Sequence, residues 1–359
     1  MENLSNEVFY EIFDYLDGGD LYQAFSNLND RFDQLLHSPS LRWKIEIRFS
    51  KDETILEKYQ QVIRLHKDQI SSIIMGSRSK SEKILSLSLI DSSLPRLEAF
   101  YIHGIHPDHL IVLLRKLAFL PRLFSLTIEI GGATTNPNDI YPLIFALPVL
   151  KRNKLTVYRK SHAIIFPRAT NEQLSSIEDL DMMNASTFDE LARIVSYTPQ
   201  LRRLDFLHNE DYDNLHLDMI FSIRLLNLTH LSIYRFHATF NQFEMLIKNL
   251  QCTLKFLFLK ITFDDLTYLD ANRWEEFLRR DLSQLRQFKF QYHQYLEDEN
   301  SPALDFGENN RFTSSFWIER QWVFETTIHY SREILYCIHP YKYVHQFDYS
   351  IRSIDLFCV

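Results

Sequence analysis

The strongest constraint on the fold is a short apolar pattern that recurs through the middle of the chain. In each copy, a first apolar residue is followed by another three positions later and by a third two positions after that. Copies begin at Ile84, Leu97, Leu123, Ile177, Leu201, Leu228, Leu254 and Leu285, and a distorted copy begins at Leu150. From Leu97 onward, successive copies are 26, 27, 27, 24, 27, 26 and 31 residues apart. Such a period indicates units that bury their apolar faces only by stacking on one another.

The segments between these copies have the spacing of amphipathic helices, with apolar residues three and four positions apart. They cover 109–120, 139–147, 188–197, 217–226, 242–250 and 274–282. Strand followed by helix predicts an α/β solenoid, a curved parallel sheet with outer helices. The pattern resembles the leucine-rich-repeat family, although only Asn209 fits the Asn or Cys position of that motif, so irregular turns are expected. A non-repetitive α/β sheet built from the same elements is the alternative.

The first fifty residues predict three short helices. Apolar residues at 8, 9, 12, 13 and 16 have helical spacing. We expect Ser5 to begin the first helix, Gly18-Gly19 to end it, and Asp20 to cap the second. The third helix is expected to carry Phe32, Leu35 and Leu36.

This segment resembles the F-box family. The matching positions are Leu4, Glu7, Val8, Ile12, Phe13, Leu16, Asp17, Asp20, Leu21, Leu28 and Arg31. Ser5 stands where the family usually has Pro, and Phe32 where it usually has Trp. The resemblance implies docking on the Skp adaptor of a cullin–RING ubiquitin ligase. The adaptor-binding residues expected from it are Leu4, Val8, Ile12, Phe13, Leu16, Leu21 and Phe25. An ordinary helical cap on the next domain is the alternative.

The sequence therefore divides into four predicted regions. Residues 1–50 form the F-box-like module, 51–83 a helical linker or cap, 84–292 the leucine-rich-repeat-like solenoid, and 293–359 an aromatic-rich cap. Within the last region, 296–310 is expected to be a loop, and 316–324, 334–338 and 349–357 to be strands because they are rich in aromatic and β-branched residues.

Strand geometry also predicts a binding surface. The repeated apolar residues face the core, so the residues between them point to the concave side of the solenoid. The candidates for partner binding there are Tyr101, Glu129, Tyr158, Asp181, Asp205, Tyr234, Phe258 and Lys260. Aromatic side chains mixed with charges are typical of protein-recognition surfaces. The alternative is that the C-terminal segment covers some of these aromatics.

Composition argues against several other functions. The chain has only 7 glycines, against about 25 at average usage, and no phosphate-binding Gly motif. A net charge of −8 disfavours nucleic-acid binding by phosphate neutralisation, and 3 widely spaced cysteines offer no disulfide framework or zinc site. His103, His106 and His109 could share a metal, but we regard them as polar surface. We expect no catalytic residues, no cofactor, no metal and no membrane span.

These observations together predict a non-catalytic protein of the cytoplasm or nucleus, without a secretory signal. It would be the substrate-recognition subunit of an SCF-type ubiquitin ligase, with its F-box-like helices on the Skp adaptor and its solenoid on an unknown protein substrate. The alternative function is a solenoid protein-binding scaffold with no ubiquitin-ligase role.

Overall fold

The computed structural model describes residues 4–47, 53–76, 90, 92–131, 135–158, 160, 162–209, 224–262, 265–295, 312–329 and 333–341. The chain divides into two compact units, Met1–Ala185 with Glu190–Leu201, and Ser186–Asp189 with Arg202–Val359. The elements expected at 84–89, 296–310 and 349–357, and most of the helix expected at 217–226, lie outside the described residues.

The first unit is mixed α/β, with a parallel sheet whose strands lie side by side in chain order. Its strands are β1 (Trp43–Ile47), β2 (Ile70–Gly76), β3 (Ala99–His103), β4 (Ser125–Ile130), β5 (Arg152–Val157) and β6 (Asp179–Ser186), whose last residue belongs to the second unit. Its helices are α1 (Asn6–Phe13), α2 (Gly18–Phe25), α3 (Asp30–Leu36), α4 (Glu53–His66), α5 (Pro107–Leu117) and α6 (Tyr141–Phe145). The next helix, α7 (Phe188–Ser196), has residues in both units.

The second unit is also mixed α/β. Its strands are β7 (Arg203–His208), β8 (His230–Phe236), β9 (Phe256–Ile261), β10 (Gln287–Tyr295), β11 (Trp322–His329) and β12 (Glu333–Pro340). Its helices are α8 (Phe240–Leu250), α9 (Ala271–Asp281) and α10 (Ser315–Glu319). Strands β7 to β10 run parallel in chain order, and β12 then β11 follow in antiparallel pairing. The predicted alternation of strands and helices in a mostly parallel arrangement is therefore confirmed.

The repeated apolar pattern sets the position of each strand. From Leu97 to Leu285, every described strand begins two residues after the first apolar residue of its copy. Even the distorted copy at Leu150 keeps this phase, because Asn153 occupies the second apolar position. Asn153 is buried, and its amide nitrogen donates to the Leu126 carbonyl oxygen at 3.2 Å.

The repeat begins earlier in the chain than the sequence indicated. Strand β2 carries the same pattern at Ile70, Ile73 and Met75, with Ile73 opposite Phe100 in the sheet. Strands β1 and β2 thus lie in the ranges assigned to the F-box-like module and to the helical linker, whereas α4 is the helix expected after residue 51.

Helix α5 shows how each repeat buries its helix. Its buried residues follow the three-and-four spacing of one helical face: Leu110, Leu113, Leu114 and Leu117. Pro107 begins the helix, and Arg115 and Lys116 lie in its last turn, where basic side chains interact favourably with the helix dipole. Full burial of each leucine stabilises the fold by about 1.5–3 kcal/mol.

Three short helices form at the N-terminus as predicted, but the glycines and the capping aspartate at the start of the second helix differ from the prediction. Gly18 and Gly19 begin α2 rather than end α1, and Asp17 rather than Asp20 is its N-cap. The glycines are needed for close approach. A Cβ on Gly18 would lie 2.6 Å from Ile45 Cδ1, and one on Gly19 would lie 2.5 Å from Tyr59 Cε1.

Hydrogen bonds to the Asp17 carboxylate connect these helices to the first strand and to α4. Its carboxylate accepts hydrogen bonds from the Gly19 backbone N–H at 2.8 Å and from the Tyr59 hydroxyl at 2.7 Å. It also accepts the backbone N–H of Glu46 in β1. Because β1 is the first strand of the sheet, this carboxylate satisfies a donor on its outer edge.

The C-terminal region contains one wrong prediction. Residues 315–319 form α10, not the start of a strand, and the strand begins only at Trp322. Phe316 and Trp317 are consecutive and both buried, which a helical turn permits because neighbouring side chains need not point to opposite sides. The strand predicted at 334–338 is confirmed by β12.

Candidate protein-binding surfaces

Helix α1 presents an exposed apolar stripe, formed by Leu4, Val8 and Ile12. Val8 and Ile12 are one turn apart in the helix, and Leu4 lies four residues before Val8, just ahead of the N-cap Ser5. Leu4, Val8 and Ile12 are 39%, 38% and 38% exposed, respectively. Tyr15 and Leu28, in the turns after α1 and α2, are also exposed. An exposed apolar stripe is typical of sites that a partner covers.

The opposite side of α1 is filled by aromatic rings. Phe9 packs edge-on against Phe32 with ring centroids 5.0 Å apart, and Phe13 lies 5.0 Å from Phe25. Phe25 and Phe32 are in turn 5.1 Å apart. This packing leaves Phe13 almost fully buried, although the sequence assigned it to the adaptor surface.

The other predicted adaptor-binding residues differ in exposure. Leu21 is buried like Phe13, so both stabilise the module from inside and offer a partner no surface. Leu16 and Phe25 are half-buried. The apolar stripe is therefore the part of the predicted set that faces outward.

Arg31 holds the beginning of this stripe in place. Its guanidinium donates to the Leu4 carbonyl oxygen and to Asn6 Oδ1, the latter from Nη2 at 2.8 Å and from Nε at 3.1 Å. It also lies 5.3 Å from the centre of the Phe9 ring. Because α3 supplies Arg31, the third helix fixes the segment before α1, and less ordering is needed when a partner binds.

A second surface lies on the face of the first-unit sheet that the repeated apolar residues do not occupy. Strand pairing places Tyr101 beside Thr127, Thr127 beside Lys154, and Lys154 beside Asp181. The next row places His103 beside Glu129. The predicted partner-binding residues of this unit thus come together on one face, as the strand geometry predicted.

Glu129 is the centre of a polar cluster on this face. Its Oε2 lies 2.8 Å from His103 Nδ1, and the Tyr101 hydroxyl also forms a hydrogen bond with its carboxylate. Burial first, and then the charge of Glu129, raise the pKa of Tyr101 to about 12. The same two causes raise the pKa of Tyr158, against the opposing effect of Lys154. Like an ordinary tyrosine, both phenols are protonated at neutral pH, and these shifts extend that neutral state to higher pH.

The negative charge of Asp181 is balanced by a neighbouring lysine. Lys154 Nζ lies 3.1 Å from Asp181 Oδ2, and the side chain of Asp181 is only 19% exposed. Tyr158, by contrast, is 53% exposed just beyond the end of β5 and is the most accessible aromatic of the predicted set in this unit.

The predicted residues of the second unit are less accessible. Asp205 is buried and lies 3.0 Å from Arg203 Nε, and Phe258 is buried with its ring 5.1 Å from that of Tyr234. Tyr234 and Lys260 are half-buried. Some of the residues that the sequence assigned to partner binding therefore pack against neighbouring strands instead.

The three histidines predicted to be polar surface lie at the end of β3 and the start of α5. His103 pairs with Glu129, while His106 Nδ1 accepts the Asp108 backbone N–H at 3.4 Å as the N-cap of α5. The rings of His106 and His109 are 6.0 Å apart. Within the part of the chain that the structure describes, no group of three or more His, Cys, Asp or Glu side chains is arranged to hold a metal ion.

Three residues of these surfaces escaped the sequence interpretation. Ile74 is 38% exposed next to Tyr101, but it lies in β2, which was not predicted. Lys154 was overlooked because the distorted copy at Leu150 obscured the phase of β5. Tyr15 follows α1 at the point where the sequence indicated that the helix continued.

In the described ranges, no helix is both long enough and apolar enough to span a bilayer. No family model matches the sequence, and no curated protein matches it significantly.

Proposed function

We propose that the chain is a non-catalytic receptor subunit that joins a ubiquitin ligase to a protein partner. In this proposal the N-terminal helices are an F-box-like module that docks on an Skp-type adaptor of a cullin–RING ligase. The strand–helix repeats that follow these helices in the sequence are leucine-rich-repeat-like and capture the partner. Joining the two would raise the effective concentration of the partner near the ligase, with no chemistry supplied by this chain.

The observation that carries the proposal is the apolar stripe. Leu4, Val8 and Ile12 leave more than a third of their surface exposed on a module whose other side is a closed aromatic cluster. Arg31 holds the backbone at the first of them from another helix, so less ordering is needed when a partner binds. An apolar helix face suits a helix-in-groove interaction with a partner.

The rival role is a cap on the repeats with no ligase function. It is favoured by the contacts of Asp17 and by the close fit of Gly18 against Ile45, since both seal the edge of the sheet at β1. The two roles use different sides of the same helices. A variant of the exposed side therefore separates them.

The test is capture of the full chain by purified, immobilised Skp adaptor. Docking predicts that wild type is retained and that the double variant Val8→Asp, Ile12→Asp loses at least about 100-fold in affinity, because it places two unpaired carboxylates in an apolar interface. Val112→Asp is the matched control, since Val112 is 54% exposed on α5, away from the module. Failure of wild type to bind, or equal binding by the double variant, would leave the cap role in place.

A further inference from the structure

The cluster around Glu129 has a layout suited to one kind of ligand. Glu129 lies in β4, directly opposite His103 in β3. Tyr101 is its diagonal neighbour on that side, because Tyr101 pairs with Thr127 two residues earlier. On the other side Glu129 pairs with Thr156, and Tyr158 follows two residues later. Diagonal neighbours in a sheet lie within reach of aromatic side chains.

The basic residues around Glu129 lie beside other carboxylates. Lys154 Nζ lies 3.1 Å from Asp181, and Lys151 Nζ lies 2.8 Å from Glu178. Arg152 stands opposite Asp179 in the strand register. The contacts of Glu129 are instead an imidazole and a phenol, so its carboxylate keeps the capacity to attract a cation.

The side chain of Glu129 is mostly covered, whereas the side chains of His103 and Tyr158 beside it are more exposed. The side chain of Glu129 is 20% exposed and that of His103 37% exposed, while Tyr158 is 53% exposed. A carboxylate beside accessible aromatic rings offers a cation an ion pair and a ring face together. A planar guanidinium suits such a site best, because it stacks on a ring while its N–H groups donate to the carboxylate.

We propose that Glu129, Tyr101 and Tyr158 form the recognition site for one arginine side chain in a segment of the protein partner. This inference rests on the partner-capture part of the proposed function and is independent of adaptor docking. In the complex, the guanidinium lies on the Tyr158 ring and donates to Glu129, while Tyr101 and His103 hold the carboxylate in place. Further basic residues of the segment are not required.

The test is fluorescence anisotropy with the full chain and labelled peptides of about nine residues in which arginine alternates with serine. Peptides with lysine or glutamate in place of arginine are the comparison probes. Wild type should bind the arginine peptide more tightly than the lysine peptide and should not bind the glutamate peptide. Glu129→Gln, which keeps the shape and the hydrogen-bonding oxygen, should weaken binding about tenfold, as should Tyr158→Ala.

Glu276→Gln is the matched control for charge, because it removes one carboxylate from a side chain that is 77% exposed on α9. It should change the affinity less than about twofold. Equal losses for Glu129→Gln and Glu276→Gln would mean that the peptide responds only to the net charge of −8, and the site would be refuted. No binding by wild type at about 1 mM protein would refute it as well. The peptide assay contains no adaptor, so its result does not bear on the docking proposal, which the adaptor-capture experiment tests separately.

Discussion

Replacing Asp17 with alanine should loosen the N-terminal helices from the sheet. The substitution removes one carboxylate that accepts hydrogen bonds from three elements: the Gly19 N–H in α2, the Glu46 N–H in β1 and the Tyr59 hydroxyl in α4. Helix packing and the glycine contacts remain, so the change isolates the contribution of this single group.

The magnitude follows from those contacts. A hydrogen bond to a charged group is worth about 1.5–3 kcal/mol, and an N-cap about 1 kcal/mol. Three bonds to one carboxylate are not additive, and the half-buried site lets water replace part of the loss. We therefore expect the free energy of local opening to fall by about 3 kcal/mol, which corresponds to exchange about 150-fold faster.

The assay is amide hydrogen exchange of peptides covering Gly18–Phe25 and Trp43–Ile47. It reports local opening, so the second unit does not obscure the result. Asp14→Ala is the control, because Asp14 has a side chain that is 62% exposed and lies 3.4 Å from Lys44 Nζ. The reasoning is refuted if Asp17→Ala accelerates exchange in these peptides no more than Asp14→Ala does.

Two further outcomes can be measured in the first unit. His66 stacks on Trp43 with ring centroids 3.9 Å apart, and burial lowers its pKa below the ordinary value. The unfolded chain therefore binds a proton on His66 at a higher pH than the folded chain does. The free energy of unfolding should fall as the pH drops below about 6.5, and above that pH it should not depend on His66. Thermal unfolding should show that His66→Phe loses less stability than wild type between about pH 7.5 and about pH 5.5. Glu190 forms an ion pair with Lys160 at 2.6 Å and accepts the Ile164 N–H, with its side chain only 4% exposed. Urea unfolding of Glu190→Ala should show a loss of about 3 kcal/mol, against less than about 1 kcal/mol for Glu178→Ala at the exposed Lys151 pair; similar losses would contradict the assigned role of burial.

The repeat could be read from the sequence because stacking imposes the same three apolar positions on every copy. Leu97, Leu123 and the later first residues therefore predict where each described strand begins. The copy at Ile70 was missed because it lies in the range that was assigned to a helical linker or cap. Asn153 only distorted the copy at Leu150, since a polar side chain can be buried when its amide reaches a backbone carbonyl.

Exposure was harder to predict than secondary structure. Spacing alone puts Val8, Ile12, Phe13 and Leu21 on helices, but it does not say that Phe13 joins an aromatic cluster while Val8 remains outside. On the sheet, alternation correctly gave the face of Phe258 but not its burial against Tyr234. Gly18 and Gly19 carried a signal that was misread: their role is close approach to Ile45 and Tyr59, contacts that only the folded chain reveals.

The most direct measurement is light scattering on a size-exclusion column with the full chain and purified Skp adaptor at concentrations of tens of micromolar. Docking through the apolar stripe predicts a one-to-one complex for wild type and for Val112→Asp, and separate elution for Val8→Asp, Ile12→Asp. Separate elution of wild type, or a complex that the double variant forms equally well, would contradict the account.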